Sequence, residues 1–268
     1  MELPAVVMIH GMWSRPAMFA SLRRDLEAAG IQSVALTLPH HDLPAGAPPP
    51  PALGRTSLAD YLAALQRETR ELARPFVILG HSMGGLLAQQ LAAETRPAGL
   101  ILLATAASAQ AGAWGARHGW ATVPTFWAIC SRWRWWDKPT RIGNAAARYG
   151  IFNDVPEEEI IPALADLCWD SGTALREMAL PLLDPQKSAS VPYHRLTMPA
   201  LVLTGLDDHA VPATVSRRTA RLLSQAGSRV DYAEWPNVGH WLFHDAVRPR
   251  LVSAIAHFLA TLTGQSAA

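Results

Sequence analysis

The stretch Phe76-Val77-Ile78-Leu79-Gly80-His81-Ser82-Met83-Gly84-Gly85 decides the fold. Its apolar, β-branched first half, bounded by glycine, reads as a buried parallel strand. Leu86 to Glu94, rich in Leu, Ala and Gln, reads as the helix that follows. Between them Gly80, Ser82 and Gly84 fill the three places of G-x-S-x-G. A serine in so tight a strand-to-helix turn adopts strained backbone angles, and glycine two residues to either side relieves the clash. The hydroxyl then projects above the sheet edge, beside the positive end of the helix dipole, where a developing anion is favoured.

Working outward, the same strand-helix rhythm recurs. Ala5 to Ile9 is a short apolar strand ending in His10-Gly11-Met12-Trp13, and a helix spans roughly Pro16 to Ala29. Gly30 stops that helix, and Gln32 to Leu38 is the next strand. Pro39-His40-His41-Asp42 and the proline-rich run Pro44 to Pro51 form a loop that cannot pair in a sheet. Ser57 is an N-cap for a helix from Leu58 to about Ala73. Gly99 to Ala104 is another buried strand. The rhythm resumes with the strand Ala200 to Gly205, a helix near Ala213 to Ala226, the strand Arg229 to Trp235 and a closing helix from about Asp245 to Leu262. Six strands alternating with helices predict a mostly parallel α/β sheet covered on both faces, with functional groups at the strand C-termini.

Between residues 105 and 198 the rhythm breaks down, and seven of the ten tryptophans lie there: Trp114, Trp120, Trp127, Trp133, Trp135, Trp136 and Trp169. The expected organisation is therefore a core of residues 1–104 and 199–268, with 105–198 as a mainly helical cap over the site. Clustered aromatics can line an apolar pocket or form a small core of their own. Ser131 to Lys138 interleaves basic and aromatic residues, which suits a membrane or lipid interface, and equally suits arginines stacked on indoles. Glu157-Glu158-Glu159 reads as the acidic first turn of a helix. Ser171-Gly172-Thr173, with Glu177, reads as the start of another helix and not as a second nucleophile.

Composition narrows the function classes. The chain has 268 residues, half of them apolar, and a formal net charge of +1, which argues against nucleic acid and highly charged substrates. Neither a signal peptide nor an apolar run of 18 residues is legible, so a cytoplasmic location is the expectation. Cys130 and Cys168 are too few and too far apart to argue for secretion or a metal. His40, His41 and Asp42 resemble a metal cluster, yet no further ligands are spaced for one, and no metal or cofactor is expected.

Ser82 needs a base, since a free hydroxyl is a poor nucleophile at neutral pH. His240, in Asn237-Val238-Gly239-His240-Trp241, lies just beyond the last strand, at the correct edge. His81 adjoins Ser82, but neighbouring side chains on a sharp turn point apart, so packing is its expected role. His10 is expected to support its loop. The base needs a carboxylate to fix its tautomer. From Thr105 to Trp136 there is no Asp or Glu, so the acid comes from Gly205-Leu206-Asp207-Asp208-His209-Ala210-Val211-Pro212. Asp208, three residues after the glycine and four before Pro212, is preferred over Asp207. An oxyanion would be met by the backbone N–H groups of Met83 and Met12, with Trp13 as the alternative second donor. Trp13 also suits a pocket wall, as does Trp241.

Together, His10-Gly11, Gly80-His81-Ser82-Met83-Gly84-Gly85, Gly205-x-x-Asp208-x-x-Val211-Pro212 and Gly239-His240 resemble the α/β-hydrolase superfamily, in the order Ser82, Asp208, His240 that this architecture uses. The resemblance covers the chain apart from the insert and implies an esterase- or lipase-like serine hydrolase. Two departures stand out. The chain begins almost at the strand carrying His10-Gly11, so two leading strands of the fuller fold are not expected. Leu38-Pro39-His40-His41-Asp42 also stands where the family more usually has proline-glycine-histidine-glycine. The implied substrate is a small, largely apolar ester, lactone or thioester. The same residues also support carbon–carbon bond hydrolysis, lyase or perhydrolase chemistry, or a non-catalytic binding pocket.

Overall fold

The structure, a computed structural model, describes residues 3–72, 75–112 and 122–264. Its centre is a six-stranded parallel sheet. The strands are β1 (Ala5–Ile9), β2 (Ser33–Ala35), β3 (Phe76–His81), β4 (Gly99–Leu103), β7 (Ala200–Gly205) and β8 (Val230–Trp235), in the spatial order β2-β1-β3-β4-β7-β8. The chain runs outward from β1 to β2, then returns to lay β3 on the other side of β1. The strand order therefore reverses between β1 and β3, and the crevice beyond their C-terminal ends is where open α/β sheets place their sites. His10 and Ser82 both lie at that crevice.

The period-2 alternation of the central strands divides the core into two layers. Val6 and Met8, Val77 and Leu79, Ile101 and Leu103, and Leu201 and Leu203 point to one face. There they meet α1 (Ala20–Ala28) through Leu22 and Leu26, and α9 (Arg248–Leu262) through Leu251, Ile255, Phe258 and Leu259. Val7 and Ile9, Phe76 and Ile78, Leu100 and Leu102, and Ala200 and Val202 point to the other face. There they meet α2 (Leu58–Arg70), α3 (Met83–Thr95) and α8 (Ala213–Gln225). Each such fully buried leucine contributes about 2 kcal/mol of transfer free energy.

Local signals set the helix ends. Ser57 and Asp60 close a reciprocal capping box at the start of α2, with Ser57 Oγ accepting the Asp60 N–H at 3.1 Å and Asp60 Oδ2 accepting the Ser57 N–H at 2.9 Å. The α9 helix starts at Arg248 and not near Asp245, because Pro249 supplies the fixed φ of a first helical turn. The strand expected over Gln32 to Leu38 is paired only from Ser33 to Ala35, as suits a sheet edge. The expected end of α2 near Ala73 falls outside the described residues, with the helix assigned to Arg70.

Between β4 and β7 run α4 (Thr122–Cys130), β5 (Pro139–Thr140), α5 (Asn144–Gly150), α6 (Glu157–Ala165), β6 (Asp170–Ser171) and α7 (Gly172–Ala179). The acidic triplet Glu157–Glu159 forms the first turn of α6, and Ser171 Oγ caps α7 by accepting the Ala174 N–H at 3.1 Å. The antiparallel ribbon β5–β6 was not expected from the sequence. Among the described residues, no helix is long and apolar enough to cross a membrane.

Candidate active site

Every residue from Phe76 to Ala93 is buried except Ser82, which is half-exposed. Its backbone sits at φ 53° and ψ −123°, strained for a residue with a Cβ. Surrounding bonds hold it there: the Ser82 N–H donates to Leu103 O at 3.1 Å, while Ser82 O accepts the N–H groups of Gly85 at 2.9 Å and Ala106 at 2.8 Å. A Cβ at Gly80 would collide with the Gly84 carbonyl, and one at Gly84 would collide with the Ile9 carbonyl. Those contacts let the turn lie directly against β1, which is why glycine flanks the serine.

The loop after β7 carries Asp208 and the loop after β8 carries His240. Asp208 Oδ2 accepts from His240 Nδ1 at 2.7 Å, with both side chains almost wholly buried. Asp208 Oδ1 accepts the N–H groups of Ala210 at 2.8 Å and Val211 at 2.7 Å. Both carboxylate oxygens are thus occupied, so the imidazole carries its proton on Nδ1 and its Nε2 lone pair is free to accept one. Asp207, the alternative, is exposed and is engaged through its backbone, its N–H donating to Val238 O at 3.0 Å and its carbonyl accepting from Asn153.

The neighbouring histidines hold loops. His81 Nε2 donates to the His240 carbonyl at 3.0 Å, and its ring lies 4.7 Å from that of His240. Burial first, and the nearby His240 second, push the His81 pKa well down. His10 Nδ1 donates to Gly11 O at 3.0 Å, and complete burial lowers its pKa to about 3. Both rings are therefore neutral at physiological pH.

Of the three backbone donors considered, Trp13 is already used: its N–H donates to Asp170 Oδ2 at 3.0 Å. The N–H groups of Met12 and Met83 have no acceptor among the described residues. Met12, Trp13, Ser82, Met83, His240 and Trp241 all line one cavity of about 200 Å³. Its remaining wall is largely apolar, with Phe126, Ile151, Leu175, Met178, Val211 and Val215 among the lining residues. Several of these come from α4, the turn after α5, and α7, so the segment between β4 and β7 forms much of the wall.

The tryptophans divide. Trp135 is buried, and Trp136 packs edge-on against both Trp133 and Trp135 at 5.9 and 6.2 Å. Trp127 and Trp133 remain 67% and 79% exposed. Arg134 is engaged by Asp137. Trp114 and Trp120 lie outside the described residues.

The sequence reading missed a buried cluster beside the Met12–Trp13 turn. His41 Nε2 donates to Asp170 Oδ2 at 3.2 Å and His41 Nδ1 donates to Pro39 O at 2.9 Å, so both ring nitrogens are engaged. Tyr61 Oη donates to Asp170 Oδ1 at 2.8 Å. Burial works against both charges, but the attraction between them outweighs it, raising the His41 pKa and lowering that of Asp170. Asn153 and Asp154 were missed too: Asn153 Nδ2 donates to Asp207 O at 2.9 Å, and Asp154 Oδ2 accepts from His244 Nε2 at 3.2 Å.

A family model described as "Alpha/beta hydrolase family" matches residues 6–255. The chain belongs to that family and is an α/β-hydrolase. The fold is shared with a methylesterase from Arabidopsis, at 15% identity and TM-score 0.69, covering 97% of this chain and 100% of that one. It is shared also with a pyrethroid hydrolase from Sphingobium faniae, at 21% identity and TM-score 0.68, covering 97% and 99%. An extracellular α/β-hydrolase from a Paenibacillus species is similar at 15% identity and TM-score 0.63, covering 94% and 98%. No curated protein matches the chain in sequence.

Proposed function

We propose that the protein hydrolyses carboxylic esters of compact, apolar acids through a covalent acyl-serine. The observation that carries this reading is the buried Asp208–His240 pair, whose imidazole faces the same cavity as the strained, half-exposed Ser82. Ser82 Oγ attacks the ester carbonyl carbon while His240 Nε2 takes the hydroxyl proton. Negative charge gathers on the carbonyl oxygen, where the Met12 and Met83 N–H groups donate to it. The carbon–oxygen bond to the alcohol breaks, and the proton on His240 goes to the departing oxygen. Water then attacks the acyl carbon, giving its proton to His240, and the acid leaves as Ser82 regains its hydrogen. Asp208 stabilises the imidazolium in both halves.

The cavity sets the substrate class. At about 200 Å³ it is little larger than the dry 150 Å³ space known to hold benzene, so it suits a short-chain or single-ring acyl group. The described residues between β4 and β7 that line it serve as its cap. The names of the related structures, a methylesterase among them, fit this reading. Incubation with a fluorophosphonate and measurement of intact mass tests it: one adduct on the wild type, absent from Ser82→Ala, is expected. An unlabelled wild type would contradict it.

A further inference from the structure

Trp13 is held at each of its polar atoms by the segment between β4 and β7. Its N–H donates to Asp170 Oδ2 at 3.0 Å, its carbonyl accepts the Cys168 N–H at 2.8 Å, and its indole Nε1–H donates to Thr140 Oγ1 at 3.3 Å. The residue stands at φ +57°, in the left-handed region. That conformation persists for a residue with a side chain only where the surroundings over-determine it. The three bonds supply that constraint, and they come from a part of the chain about 130 to 160 residues away.

Asp170 is the centre of the clamp. Its side chain is wholly buried and its two oxygens take four donors: Trp13 N–H and His41 Nε2 on Oδ2, Tyr61 Oη and Ser171 N–H on Oδ1. Burying a carboxylate costs several kcal/mol, and a well-packed apolar residue would hold the two segments together without that cost. What an apolar residue cannot do is orient a backbone N–H. The Trp13 N–H lies in the peptide plane joining Met12 to Trp13, so fixing that plane leaves only the two dihedrals of Met12 between it and the Met12 N–H. Met12 carries one of the two unengaged N–H groups beside Ser82.

We propose that Asp170 is a positioning residue for ester hydrolysis: it grips the Trp13 N–H so that the Met12 N–H stays aimed at the substrate oxyanion, with His41 and Tyr61 holding the carboxylate in place. This rests on the reading of Ser82 as the nucleophile. Asp170 touches no reacting atom, and its effect falls on the transition state, where the oxyanion is fully charged.

The test compares Asp170→Asn and Thr140→Val with the wild type on the preferred ester, alongside a trifluoromethyl ketone of the same acyl group. An amide at position 170 must turn its NH₂ toward one pair of donors, so one side of the clamp is lost. Thr140→Val is nearly isosteric and leaves the Asp170 carboxylate and its four donors intact, removing the indole's acceptor and the hydroxyl's own bond to the Asp170 carbonyl, so it reports even if Asp170→Asn does not fold. Expected for Asp170→Asn is a fall in kcat on the order of 10- to 100-fold with KM changed less than threefold, and a matching rise in Ki for the ketone. Thr140→Val should show the same pattern at several-fold. Wild-type kcat in both variants, or losses no greater than the fraction unfolded by circular dichroism, would overturn the proposal while Ser82-dependent turnover stood. Absence of Ser82-dependent turnover in the wild type would remove both readings together.

Discussion

His81 donates from Nε2 to the carbonyl oxygen of His240 at 3.0 Å, so the residue before Ser82 holds the backbone of the histidine facing it across the cavity. The end of β3 and the loop after β8 are tied by one buried bond. His81→Ala removes the donor and leaves a buried carbonyl unpaired, at a cost of about 1–3 kcal/mol. A lower melting temperature is expected, with kcat reduced roughly tenfold or more as the His240 loop shifts. Steady-state kinetics beside a thermal melt checks this, and an unchanged kcat would separate His81 from the positioning of His240.

Asp208→Asn should keep the fold and lose the chemistry. The amide oxygen can still accept the Ala210 and Val211 N–H groups, but its NH₂ then faces His240 Nδ1 and selects the opposite tautomer. A fall in kcat on the order of 10⁴ is expected, with the circular dichroism spectrum unchanged. Asp207→Asn, at an exposed side chain, should stay within about twofold. Equal losses in the two variants would show that the loop matters and the Asp208 carboxylate does not.

Stability should fall on acidification well before the carboxylates titrate. His10 is held neutral, its pKa lowered from 6.5 to about 3, and His81 is shifted the same way. Below pH 6.5 the unfolded chain binds protons that the folded chain refuses, so stability drops as pH falls. For His10 alone the loss is about 2 kcal/mol at pH 5. His41 runs the other way: its raised pKa contributes stability that is complete below 6.5 and lost as pH rises through the folded value. The urea midpoint should therefore decline from pH 7 to 5, and His10→Gln should flatten that decline. A flat profile in the wild type would show that the buried rings are not the cause.

Local patterns made most of the fold legible. The apolar runs marked β1, β3, β4 and β7 because each is short, buried on both faces and bounded by glycine or a turn, while the edge strands β2 and β8 are only partly buried. Ser57, Ser171 and Glu157 to Glu159 marked helix starts because capping is decided within four residues. Asp208 could be preferred to Asp207 because the spacing to Gly205 and Pro212 is also local. The Asp170–His41 pair could not be read in this way: its members stand 129 residues apart, and each sits among neighbours that suit an ordinary turn or helix start. Nor could the two-residue strands β5 and β6, too short to carry an alternation. The sequence favours Met12 over Trp13 as the second donor, but the engagement of the Trp13 N–H is not legible in it, since only the fold brings Asp170 to Trp13.

Turnover of p-nitrophenyl esters from acetate to palmitate, by wild type and Ser82→Ala, tests the central claim most directly. The wild type should favour acyl chains short enough for a cavity of about 200 Å³. Ser82→Ala should lower kcat by a factor on the order of 10⁴–10⁶. Near-wild-type turnover in Ser82→Ala would contradict the assignment of Ser82 as the nucleophile.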